Sequence, residues 1–449
     1  MKGAVVTALA MTGSVSAFFA PVAKTLGGTQ CRRGTWVSMS ATEVVDKKME
    51  RKKILASPKY NRIGFKNEKE DVSNLMSDEF TSKIVTEFKE NNGRITRGDT
   101  TFRLATDYGF CWGVERAVAM AFQARQHFPD QTMHITNELI HNPGVNEKLD
   151  EMGVNFVPVS GEGIKDLDSI KDGDVVILPA FGASLEEMQT LDEKNVQVVD
   201  TTCPWVSKVW NTVDKHTKAE FTSVIHGKWA HEETVATSSF CEKYLVVKTM
   251  AEAEYVASYM TNGGDKAEFM EKFKNAMSDS FDPDTDLEKV GLANQTTMYK
   301  RETREIGQLF EKTLMAKFGP SKIGEHWMAF DTICDATQER QDAMLELVEE
   351  KIDLMLVVGG WDSSNTQHLA EISSNKGIPT YWVNKANCVE ADGSIAHVDP
   401  HSMEELRTEN FLPAGPIVIG VTSGASTPDA YMEQAVENIS MLKKLAAAV

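Results

Sequence analysis

Cysteine is scarce in this chain, and positive charge is outnumbered. Six cysteines stand among 449 residues, at irregular spacing and with no two close together. That pattern excludes a secreted disulfide framework and argues against a structural zinc finger or ribbon. Apart from the N-terminal segment, no apolar run approaches the ~20 residues needed to span a bilayer. Lys and Arg total 47 against 66 Asp and Glu, a formal net charge of −19. Nucleic-acid binding needs a basic footprint, so a body this acidic is a poor candidate for it. The one basic stretch, "KKMERKKILASPKYNR", reads as a solvated face at the edge of the fold.

What remains is an ordinary globular composition, 41% hydrophobic and 25% charged. The length accommodates about three domains of ~100–150 residues. The first 42 residues read as an address. An apolar segment follows Met1-Lys2, Val15-Ser16-Ala17 has the look of a signal-peptidase site, and Phe18 follows the junction. Beyond it the chain carries no acid until Glu43 and is rich in Ser and Thr, which is transit-peptide composition. A signal peptide joined to a transit peptide resembles the two-part presequence of algae whose plastids lie behind extra membranes. Simple secretion and a lone organelle peptide are the alternatives. Removing residues 1–42 takes away Lys2, Lys24, Arg32 and Arg33, so the net charge moves from −19 to −23. Cys31 leaves with them, and the five remaining cysteines suit a reducing compartment such as a stroma.

Three of those cysteines share one setting. Cys111, Cys203 and Cys334 each end a strand-like run and precede apolar residues at helical spacing, and Pro204 sits where a first helical turn tolerates it. Each helix leads to a short apolar strand with a polar tip: His141-Asn142, His231-Glu232-Glu233 and Ser363-Ser364-Asn365. The separations from cysteine to tip agree, at 30 (111 to 141), 28 (203 to 231) and 29 (334 to 363). Another helix, strand and tip follow in each unit, and a last strand runs into the next cysteine. The third unit has no such strand after it, and "TTFRLATDYGFC" can complete it from the N-terminal side. The expected organisation is therefore α/β, in three pseudo-threefold-related units with parallel sheets. Residues 1–42 form the presequence, 43–99 an N-terminal extension, and 100–202, 203–330 and 331–449 the three units. The cysteine separations of 92 (111 to 203) and 131 (203 to 334) differ by 39, which fits an acidic, surface-helical insertion at about 250–289. Ligands of such sheets gather at the strands' carboxyl ends, where all the tips and the three cysteines fall.

Helix N-termini favour anions and lower a thiol's pKa, so the three sites suit thiolate ligands. Three thiolates can hold one metal centre with a coordination position open, and both zinc and iron–sulfur clusters accept cysteine. A single buried cysteine packs as a small hydrophobe more often than it ligates. The threefold setting outweighs that base rate here, while Cys241 and Cys388 lack the setting and are assigned to packing. His141, His231, Ser363, Ser364, Asn365 and Ser426 offer hydrogen bonds to a phosphate, although Ser and Asn at such places are also common helix caps. Glu233 is the acid closest to the expected cleft and could transfer protons; as an acid in a first helical turn it has an equally plain structural reading.

The motifs "YGFCWGVERAV", "IHNPGVNEKL", "DTTCPWVSKV", "HGKWAHEET", "NQTTMYKRE", "DTICDATQERQ", "GGWDSSNT" and "GVTSGASTPD", in that order, resemble the 4-hydroxy-3-methylbut-2-enyl diphosphate reductases, in their plant and cyanobacterial branch. The resemblance covers roughly residues 100 to 440. It implies one [4Fe–4S] cluster at the centre of the three units, held by Cys111, Cys203 and Cys334 with the fourth iron open. By the same resemblance, His141, His231, Ser363, Ser364, Asn365 and Ser426 would hold the diphosphate, Glu233 would deliver protons, and Thr296 would position the substrate hydroxyl. Ferredoxin would be the electron donor and the plastid stroma the location. Phe181 stands where many bacterial members have histidine, and Glu232 replaces a common proline. Two alternatives keep part of this constellation: an iron–sulfur redox sensor or binding protein, and a zinc-dependent diphosphate hydrolase.

Overall fold

Continuous apolar runs such as Val175–Leu178, Val290–Asn294 and Leu354–Val358 are buried along their whole length, as strands covered by helices on both faces must be. The computed structural model describes residues 47–160 and 164–447. The expected presequence and Cys31 lie outside the described residues.

Three sheets share one strand order. In the first, Gln197–Asp200, Val175–Leu178, Met133–Ile135 and Val154–Phe156 lie side by side, all parallel. In the second the same places are taken by Trp327–Ala329, Val290–Asn294, Thr222–His226 and Tyr244–Val247. In the third they are taken by Thr100–Leu104, Ile417–Ser423, Leu354–Val358 and Thr380–Val383. Numbering strands by their order along each repeat, every sheet reads fourth, third, first, second. The strand ahead of Cys111 is thus the fourth strand of the third sheet. In this order the chain leaves the first and third strands in opposite directions, which makes the gap between their carboxyl ends the switch point where such sheets bind ligands.

The repeats differ in what joins the second strand to the third. A loop with one short helical turn serves the first sheet, and three helices, Met250–Asn262, Lys266–Lys272 and Pro283–Asp286, serve the second. The third uses a hairpin, in which Ile395–Val398 pairs antiparallel with Thr380–Val383 and Glu405–Thr408 pairs antiparallel with Ile395–Val398. Arg94–Arg97 also pairs antiparallel with Thr100–Leu104. The expected parallel core thus carries antiparallel strands at both edges of the third sheet, Ile395–Val398 at one and Arg94–Arg97 at the other, the latter because a two-residue connection is too short for a crossover. Gly98, at φ +62°, supplies the conformation that the tight Arg97-to-Thr100 turn needs.

The N-terminal extension is part of the sheets rather than an appendage. Tyr60–Asn61 adds a parallel edge strand beside Gln197–Asp200. The 250–289 segment is helical, yet it is no surface decoration. Phe269 is completely buried among the rings of Tyr255, Tyr259, Phe273 and Phe281, at centroid distances of 5.9, 4.8, 4.9 and 6.1 Å. Acidic composition masked this aromatic core, because acids stand beside the rings in the sequence, and one of them, Asp284, accepts the Tyr259 hydroxyl (2.7 Å). Replacing Phe269 with alanine should cost about 3–5 kcal/mol in denaturant unfolding, while the exposed Glu271→Ala should cost under ~0.5 kcal/mol. Equal and small losses would return the segment to the surface.

Candidate active site

Each of the three cysteines is the N-cap residue of its helix: Cys111 of Trp112–His127, Cys203 of Pro204–Lys218 and Cys334 of Asp335–Leu347. All three have extended backbone, and beyond the end of each fourth strand the cysteine N–H again reaches the tip of the neighbouring third strand. The Cys203 N–H donates to the carbonyl of Ala180 (3.0 Å), Cys334 to Thr296 (3.4 Å) and Cys111 to Ala425 (3.0 Å). Every acceptor is in the tip after a third strand. Sheet register thus carries Cys203 and Cys334 to their places, and the looped segment 105–110 brings Cys111 to the equivalent one.

Those points share one cavity of about 100 Å³. Its wall brings together Cys111, Cys203, Cys334, His141, His231, Glu233, Thr296, Ser363, Asn365 and Ser426, along with apolar Ile140, Phe181 and Val206. Ser364 does not line it: its hydroxyl accepts a hydrogen bond from Gln295 Nε2 (3.4 Å). Cys241 and Cys388 are buried in separate hydrophobic cores. A larger recess of about 610 Å³ beside the helix Lys69–Phe80 holds none of the cavity's cysteines or histidines.

The donor set suits a thiolate-held metal centre. A Cβ added at Gly113 would lie 2.6 Å from Cys203 Sγ and 3.9 Å from Cys111 Sγ, so only glycine lets the Cys111 helix come this close to the second sulfur. Burial pushes the Cys203 thiol up to about 11 and the Cys334 thiol up to about 12, with nearby Cys111 adding to both shifts. The expected lowering at a helix N-terminus is present only as the smaller effect. Backbone N–H groups of Trp205, Val206, Ala336 and Thr337 pull the two values down, and desolvation outweighs them. Thiolates at this place need a cation among them, as in metal-bound cysteine sites.

The remaining wall is built for an anion. His231 Nδ1 accepts the N–H of Glu233 (3.2 Å), and burial holds the ring neutral, so its proton sits on Nε2. Asn365 Oδ1 accepts the N–H of Ala425 (2.9 Å), which leaves its Nδ2 buried without a partner. His141 Nε2 is likewise buried without a hydrogen-bond partner, 3.7 Å from Glu232 Oε2. Phe181, a residue the sequence marks only as a departure, stacks on His141 at 4.2 Å and meets His231 edge-on at 5.9 Å. Gln295, part of a recognised motif but given no role, accepts the Lys228 N–H (3.0 Å) and donates to Thr297 Oγ1 (2.8 Å), which ties two tips of the second sheet together.

Glu233 is 2% exposed. Its Oε1 accepts the backbone N–H of Thr296 (2.6 Å) and its Oε2 the Thr296 hydroxyl (2.8 Å). Burial raises its pKa to about 7, against the pull of those two bonds and of His141. Glu232 is half-exposed and outside the cavity wall, so of the pair Glu233 alone lines the cavity.

A three-unit α/β fold whose switch points converge on a thiol-lined, anion-accepting cavity defines a class of metal-centre enzymes rather than a binding module. The family model described as LytB protein matches residues 102–440. Proteins named 4-hydroxy-3-methylbut-2-enyl diphosphate reductase from the cyanobacteria Gloeothece citriformis and a Nostoc species are 55% and 54% identical, over 90% of this chain and 100% of their own length. The solved structure of the E-1-hydroxy-2-methyl-but-2-enyl-4-diphosphate reductase from Plasmodium falciparum shares the fold, with a TM-score of 0.54 at 24% identity, covering 75% of this chain and 86% of that one. The chain belongs to the LytB family.

Gly113→Ala should leave the protein folded and sharply reduce the metal it retains after anaerobic purification, read as iron and acid-labile sulfide per chain. Unchanged metal content would remove the close approach of these sulfurs from the site.

Proposed function

We propose that this protein reduces 4-hydroxy-3-methylbut-2-enyl diphosphate to isopentenyl and dimethylallyl diphosphate, the last step of the non-mevalonate route to isoprenoids. The substrate gains two electrons and two protons, its C–O bond breaks, and water leaves. The observation that carries this reading is Glu233, a carboxyl poised near neutrality inside the cavity that three thiols share. A [4Fe–4S] cluster held by Cys111, Cys203 and Cys334, with one iron free of protein, would supply single electrons and Lewis acidity.

The chain's own residues do the rest. His141, His231, Ser363, Asn365 and Ser426 hold the diphosphate, with the buried nitrogens of His141 and Asn365 gaining the partners they lack. Ser363 also caps the helix Ser364–Asn375, whose first turn presents backbone dipoles to the anion. Ser364 contributes through that helix end rather than through its hydroxyl. Thr296 places the substrate hydroxyl and holds Glu233, which protonates first the leaving oxygen and then, recharged, the allylic carbon. Apolar neighbours such as Phe181 exclude water from these transfers.

Electrons come singly from ferredoxin, in a plastid stroma reached through residues 1–42; the cyanobacterial relatives support that setting. Residues 100–202, 203–330 and 331–449 are the three functional units, with the strand Thr100–Leu104 belonging to the third. One observation favours a second reading: ligand atoms of His141, His231 and Glu232 all lie within 4.8 Å of one another and could hold zinc for diphosphate hydrolysis. Zinc without iron or sulfide in the purified protein would decide for it.

Glu233→Gln should lower turnover by about 10²–10⁴-fold while leaving the visible absorption of the cluster unchanged. The proton-donating form exists below about pH 7 and is lost above it, so wild-type turnover should fall as pH rises through that value. Thr296→Val removes a bond that favours the carboxylate, and should move this alkaline limb to higher pH. A limb that stays put would detach Glu233 from the rate.

A further inference from the structure

Asp200 ends its strand three residues before Cys203 and is 1% exposed. Its Oδ1 accepts the N–H of Thr202 (2.9 Å), an Asx turn that steers the chain toward Cys203. Its Oδ2 is held by the hydroxyl of Tyr60 (3.1 Å) and Nε of Arg62 (2.9 Å), both from the N-terminal extension. The other end of the Arg62 guanidinium donates to Ser207 Oγ (3.1 Å), one turn into the Cys203 helix. Arg62 is also held in turn: its carbonyl accepts from Arg116 (2.6 Å), which belongs to the Cys111 helix and reaches the carbonyls of Thr201 (3.3 Å) and Thr202 (3.4 Å). One partly buried network thus joins the extension, the Cys203 turn and the Cys111 helix.

Tyr60 and Arg62 lie outside residues 102–440, the part common to the family. They lie within the span shared with the cyanobacterial relatives, whose 405 aligned residues exceed the 387 that follow Arg62 (449 − 62). We propose that Tyr60 and Arg62 are positioning residues for the metal centre, acting through Asp200 and Arg116 to fix the Cys203 thiol relative to the Cys111 thiol. Without them Asp200 loses both groups bonded to its Oδ2 and keeps only the less direct attraction of Arg51 and Arg116, so the buried carboxylate is under-satisfied and the 200–203 turn must shift to hydrate it. Metal centres tolerate ligand displacements of only about 0.2 Å. The inference rests on the cluster reading above and adds to it the extension as part of the metal-holding apparatus.

The test compares wild type, Tyr60→Phe/Arg62→Met, Tyr60→Phe alone, Arg62→Lys, and Arg103→Met, which breaks a remote pair with Glu350. Each is purified anaerobically and reconstituted, its fold is checked by circular dichroism, and iron loss to a chelator and the paramagnetic resonance spectrum of the reduced form are recorded. The double variant should lose iron at least tenfold faster than wild type with an altered spectrum, Arg62→Lys should recover part of both, and Arg103→Met should match wild type. Wild-type loss rates and spectrum in the folded double variant overturn the inference. If the double variant does not fold, Tyr60→Phe decides, with about threefold faster loss expected and an unchanged rate overturning the proposal. Wild-type protein without iron or sulfide overturns the cluster reading and this inference together.

Discussion

The backbone N–H of each of three cysteines donates to a carbonyl in the tip beyond a third strand, and the site depends on that repeated bond. For Cys203 and Cys334 that bond keeps the register of the sheet, where a slip of one residue would turn the side chain to the opposite face, while Cys111 reaches its acceptor after a two-residue shift. Repeated three times around one centre, the same kind of bond brings together sulfurs 92 and 131 residues apart along the chain. Proton chemistry is attached to the same frame. Thr296 accepts from Cys334 through its carbonyl and donates to Glu233 through its N–H and hydroxyl, so one residue holds a cysteine backbone and the buried acid together.

Burial sets the electrical character of the cavity. It opposes charge on Cys203 and Cys334, keeps His231 neutral, and lifts Glu233 to about 7. These shifts share one cause and serve different ends. The thiols await a cation, the histidine presents N–H to an anion, and the carboxyl keeps a proton to give. The raised Glu233 also has a cost. The folded chain holds that proton more tightly than the unfolded chain, so its contribution to stability is present below about pH 4.5 and falls away as pH rises to about 7, a loss of roughly 3 kcal/mol.

The cysteines and tips were legible because chemistry and period coincided in them: strand, thiol, helix, and then a polar tip about 29 residues on. The strand ahead of Cys111 was legible for the same reason, through its likeness to the strands before Cys203 and Cys334. Three features were hidden. Tyr60–Asn61 is too short a strand to leave a periodic trace, and its value lies in a contact with Asp200, 140 residues away. The ring cluster around Phe269 was obscured by the acids beside it. Ser364 looked equivalent to Ser363, yet neighbouring residues at a helix start point in different directions, and one hydroxyl caps the helix while the other meets Gln295. The direction of the thiol shifts was also misjudged, since sequence reveals a helix start but not how dry it is.

The claim that three separate thiols hold a single inorganic centre is tested most directly by counting iron and acid-labile sulfide in anaerobically purified protein and in each single Cys→Ser variant. About four of each per chain are expected in wild type. Little or none should remain in the Cys111, Cys203 and Cys334 variants, while the Cys241 and Cys388 variants keep the full complement. Full retention when any of the first three is replaced, or zinc in place of iron and sulfide, would contradict it.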